Sequence, residues 1–108
     1  MTQERRERPR YRVESGCIIK AGTETLTGIL SEVSASGAFI STHHRLPLGT
    51  LVALQHPTGG NIMASVVRIT AMGIGIAFDL GEASVTFALR SIAGDMTAAL
   101  LEDSDILA

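Results

Sequence analysis

The sequence predicts a mainly β domain: six short strands folded into a small antiparallel barrel or sandwich, followed by one C-terminal helix. Three observations carry this reading. Apolar and β-branched runs recur at near-regular spacing between residues 11 and 80. Clusters of Gly, Pro, Ser and Asn separate them, as tight reversals require. After Gly81 the β-branched residues thin out, Ala, Leu, Met and Glu dominate, and the apolar residues take a helical spacing.

The elements follow in order. Residues 11–20, YRVESGCIIK, alternate apolar with polar positions as a first strand does. Thr23 to Val33, TETLTGILSEV, is a second strand, and the turn SASG (Ser34 to Gly37) returns it into the extended AFIST, making a hairpin. LPLGT (Leu46 to Thr50) is a turn before the short strand LVALQ, and HPTGGN (His56 to Asn61) is a strong reversal. IMASVVRIT and GIGIAFDL flank a tight turn at Ala71 to Gly73 and form the last hairpin. In the final segment Val85, Leu89, Ile92, Met96 and Leu100 are spaced four, three, four and four apart, a single helical face. That stripe is expected to lie against the barrel or against a second copy of the chain, so a homodimer is one expectation. Gly94 is expected to break the helix or end it early.

At 108 residues and 45% hydrophobic content the chain is expected to form one domain with one core. Its expected parts are an arm at 1–12, a barrel at 13–80, a helix at 81–102 and a frayed tail at 103–108. No apolar run approaches the ~20 residues of a membrane-spanning helix, and no apolar segment follows the N-terminal charges as a secretory signal requires. Cys17 is the single cysteine, which excludes an internal disulfide and fits a reducing cytoplasm. The expected location is cytoplasmic, without membrane insertion.

Charge is distributed unevenly. Five of the nine basic residues, all Arg, lie between Arg5 and Arg12, whereas from residue 13 onward four basic residues (Lys20, Arg45, Arg68, Arg90) face nine acidic ones. A solvated face is the ordinary reading of a charge run. Two features point elsewhere. Pro9 and Tyr11 stiffen and anchor the segment at the edge of the first strand. The exclusion of Lys favours the planar guanidinium, which pairs bidentately with phosphate and with the O6/N7 edge of guanine and stacks on flat rings. Arg6 and Arg10 are separated by three residues. A second candidate element is SEVSASGAFI (Ser31 to Ile40): in an extended strand Glu32 and Ser34 share a face, with Val33 opposite. Gly37 ends the turn, where a backbone can adopt positive φ or approach a ligand closely. Read alone, SASG is an ordinary hairpin turn.

Together these two elements resemble the PilZ domain family, whose signature is an RxxxR loop followed, after the first strands, by [D/N]xSxxG. Arg6 and Arg10, preceded by Arg5, match the first motif, and Glu32–Val33–Ser34–Ala35–Ser36–Gly37 matches the second, with Glu32 standing where the family has Asp or Asn. GIGIAF (Gly73 to Phe78) looks like the final barrel hairpin of that family. The resemblance covers about residues 4 to 100. It implies a six-stranded antiparallel β-barrel with a C-terminal helix that binds the bacterial second messenger cyclic di-GMP. On this resemblance Arg6 and Arg10 would meet phosphates and guanines, Arg5 would contact a second, intercalated ligand, Ser34 would hydrogen-bond the ligand and Gly37 would leave room for it. Glu32 can still accept from the N1–H and N2–H₂ of guanine, but its extra methylene moves the carboxylate by roughly one bond length.

Other chemistries find little support. His43 and His44 are adjacent and point to opposite faces of an extended chain, so a shared metal is not expected. Cys17 reads as a small core residue. Gly73 and Gly75 begin a GxG, but Phe78 stands where a dinucleotide fingerprint has its third Gly. With no P-loop, GxSxG elbow or paired-carboxylate motif, the chain is not expected to be an enzyme or to carry a cofactor. The expected function is a receptor that passes the cyclic di-GMP signal to a downstream protein, in motility or polysaccharide secretion among other pathways. One alternative is a nucleotide-independent adaptor of the same fold. A nucleic-acid-binding module is disfavoured by the acidic body, the pI of 5.8 and the lack of interleaved aromatics.

Overall fold

The computed structural model describes residues 10–107, with side chains described as far as Met96. Six strands form a closed antiparallel barrel: β1 (Tyr11–Ala21), β2 (Glu24–Val33), β3 (Gly37–Ser41), β4 (Leu51–His56), β5 (Gly60–Ile69) and β6 (Gly73–Phe78). Around the barrel the order is β1-β2-β3-β6-β5-β4, and β4 pairs back onto β1 to close it, leaving no open sheet edge. The barrel-or-sandwich choice left open by strand spacing is thus resolved as a barrel.

Alternation explains the interior. Val13, Cys17, Ile19 and Ala21 of β1, Leu30 and Val33 of β2, Val52 and Leu54 of β4, and Ala64 and Val66 of β5 point inward and are buried. Cys17 belongs to this core. Burial pushes its thiol up to about 11, against a weaker opposing backbone hydrogen bond, so it is inert at neutral pH.

Helix α1 (Glu82–Leu107) crosses the barrel at its β4–β5 turn. It opens with Ser84, whose hydroxyl accepts from the Gly81 amide and donates to the Gly81 carbonyl, and with Glu82 in the first turn. Two expectations are corrected here. The helix runs through Gly94 and its backbone stays helical to Leu107, beyond the expected end at 102 and through most of the expected frayed tail. The face against the barrel is also not the predicted stripe, which corrects the first of its two expected placements: Ser84, Phe87, Ala88 and Ser91 face the barrel, while Val85, Leu89 and Met96 are 42%, 63% and 60% exposed. Of the described stripe residues, Ile92 packs against the core; the side chain of Leu100 lies outside the description.

The cause is close packing. A β-carbon on Gly59 would strike Ser91 and Phe87, and one on Gly94 would strike Thr58. At that separation the barrel admits small side chains and one ring, not a row of large aliphatic ones. The ring is Phe87, held edge-on by Phe78 at 5.4 Å and by His56 at 5.9 Å. No helix among the described residues is long and apolar enough to cross a membrane.

Candidate functional site

The ladder registers place Arg12, Glu32, Phe39, Gly75 and Arg68 side by side across β1, β2, β3, β6 and β5. Register irregularities interrupt the ladders beside three of them: between Arg12 and Ser15, and then, as a pair on the pocket side, between Leu30 and Glu32 and between Val66 and Arg68. A bulge bends its strand and re-aims the side chain that follows. Here the pair flanks an open pocket of about 300 Å³, lined among others by Arg10, Glu32, Ser34, Gly37, Phe39 and Arg68.

Each polar group has a local reason for its position. Arg10, at the entry to β1, donates from Nη1 to Oε1 of Glu32 at 3.3 Å; their side chains are 39% and 35% exposed. Arg68 crosses the vacancy above Gly75, where a β-carbon would come within 3.3–3.4 Å of it, and lays its guanidinium 5.7 Å from the Phe39 ring centre. That is a cation–π contact, and it leaves the guanidinium plane parked beside the pocket. Four predicted residues, Arg10, Glu32, Ser34 and Gly37, therefore converge on one pocket. Arg5 and Arg6 lie outside the described residues.

Two of the four also have structural parts in the turn. Ser34 does not project beside Glu32: β2 ends at Val33, and Ser34 is buried in the turn. Its Oγ accepts from the Ser36 amide at 3.2 Å and lies 3.1 Å from Ser36 Oγ and 3.4 Å from the Gly37 carbonyl, while its own amide donates to that carbonyl at 2.8 Å. The hydroxyl knits the turn together. Gly37 has no positive φ; a β-carbon there would collide with the Ile76 carbonyl of β6. Its bareness lets β3 approach β6, which the Ser36 carbonyl helps fix by accepting from Phe78.

Sequence reasoning missed Phe39 and Arg68. A signal was present: folding the last hairpin about Ala71 to Gly73 places Arg68 opposite Gly75, a cation over a bare position. His43 and His44 are exposed in a second groove, and no metal-holding group of three or more ligands exists among the described residues.

The fold is thus a small closed barrel whose open pocket is lined by two arginines, a glutamate and a phenylalanine. Comparison with protein families agrees: the PilZ domain model matches residues 4–92, and the chain belongs to this family. PilZ domains are typically non-enzymatic ligand-binding domains, and the family is generally one of cyclic di-GMP receptors. No curated protein matches the chain in a sequence comparison.

Proposed function

We propose that this protein is a non-enzymatic receptor for cyclic di-GMP that passes the signal to a protein partner. The observation that carries the reading is the cross-strand row that sets Arg68, in cation–π contact with Phe39, in the same pocket as Arg10 and Glu32. A cyclic dinucleotide presents two phosphates and two flat, electron-poor-edged bases. Guanidinium groups suit both, by bidentate pairing and by stacking. Arg6 and Arg10 take phosphates and guanine edges, Arg5 reaches a second ligand, and Arg68 offers its outer face to a base. Ser34 and Gly37 act by shaping the turn against which the ligand lies, and the exposed Ser36 offers it a hydroxyl. The arm then lies over bound ligand, and the surface so formed engages the partner.

Arg6→Ala and Arg10→Ala are each expected to abolish cyclic di-GMP binding in calorimetry while circular dichroism shows an intact barrel. Full binding by both variants would refute the assignment. The Arg10–Glu32 pair favours a second reading, a nucleotide-independent adaptor whose pocket satisfies itself; wild-type protein that gives no heat with the ligand would select it.

A further inference from the structure

We propose that Glu32 is an internal competitor for the ligand's phosphate, holding Arg10 in the free protein and thereby setting the affinity of the pocket. This rests on the receptor reading above. The carboxylate of Glu32 occupies one N–H of Arg10 Nη1 and offsets its positive charge, so it competes with a phosphate for the orientation and the field of this guanidinium. The bulge after Leu30 aims Glu32 at the pocket, and the side chain's length lets it reach Arg10 rather than stop at the strand.

Exposure sets the strength of the competition. With both groups more than a third open to water, the pair is weak enough to be broken by a dianionic ligand. A surface pair of this kind lowers ligand affinity by at most about fivefold. Once released, the carboxylate is not stranded, because Arg12 stands directly across the ladder from Glu32.

The test titrates cyclic di-GMP into the full chain, wild type and Glu32→Gln, at low and at near-physiological salt. It also follows the Arg10 side-chain nitrogen resonances of the ligand-free proteins. Gln keeps the shape and the acceptor oxygen but drops the charge. The expected result is roughly threefold to fivefold tighter binding by Glu32→Gln at low salt, an advantage that shrinks as salt rises. The Arg10 resonances should also move on substitution before any ligand is added. Wild-type binding that Glu32→Gln leaves unchanged or weakens would overturn the competitor role and spare the receptor reading. Tighter binding with unmoved Arg10 resonances would overturn it too, by assigning the effect to direct repulsion. If neither protein binds, the receptor reading itself fails and the competitor role falls with it.

Discussion

Arg68 shows what a single side chain can contribute when the backbone clears space for it. Its guanidinium is held over Phe39 because Gly75, opposite it in the ladder, has no side chain. In the receptor reading it is a stacking platform, and plane matters there as well as charge. Arg68→Ala is expected to weaken cyclic di-GMP binding by about tenfold. Arg68→Lys, which keeps the charge and loses the plane, should recover little of it. Full recovery by Lys in the same titration would reduce Arg68 to a source of positive potential. Arg10, Glu32, Ser34 and Gly37 were legible because they sit in two short motifs. Phe39 and Arg68 lie outside those motifs: the last hairpin sets Arg68 opposite Gly75, but its meeting with Phe39 depends also on the β3–β6 register, which no local signal fixes. The motif also gave no sign that Ser34 spends its hydroxyl inside the turn, because a turn residue and a ligand contact have the same spacing.

At the scale of elements, the strands were readable to within a residue or two, since alternation and turn chemistry both act locally. The helix was readable in existence but not in orientation. Hydrophobic periodicity selects the face with the most apolar area, whereas the barrel selects the face that fits a short separation. Gly94 makes the contrast testable. In an isolated helix Ala would be favoured over Gly by about 1 kcal/mol. Here an added methyl meets the β-branched Thr58, whose hydroxyl already donates to the Arg90 carbonyl at 3.0 Å. Gly94→Ala is therefore expected to destabilise the protein, by roughly 1–3 kcal/mol in chemical denaturation. Thr58→Ala should relieve part of that loss in the double variant. A stabilised Gly94→Ala protein would contradict the packing described for this helix.

For the whole molecule, the helix and the β4–β5 turn meet around His56. Its Nδ1 accepts from the amides of Thr58 and Gly59 at 3.1 and 2.9 Å, which places the proton on Nε2, buried and without a hydrogen-bond partner among the described residues. Burial lowers its pKa below the ordinary 6.5, with Asp95 of the helix opposing the shift in part. As pH falls the unfolded chain takes up this proton first, so the stability tied to neutral His56 is complete above about 6.5 and is lost below it. His56→Asn retains an acceptor for the turn amides and removes the titration. Its thermal midpoint should fall less than the wild type's between pH 7.5 and 5.5, and parallel declines would show that His56 is not the group responsible.

The central claim, that this barrel reads cyclic di-GMP with an arginine arm and a strand-turn pocket, meets its most direct test in one calorimetric series. Wild type, Arg6→Ala and Arg10→Ala would each be titrated with cyclic di-GMP at ~0.15 M salt, with GTP as control. Saturable wild-type binding, absent with GTP and lost in both variants, is the predicted result. Equal heats for GTP and cyclic di-GMP, or no heat from wild type, would contradict the account.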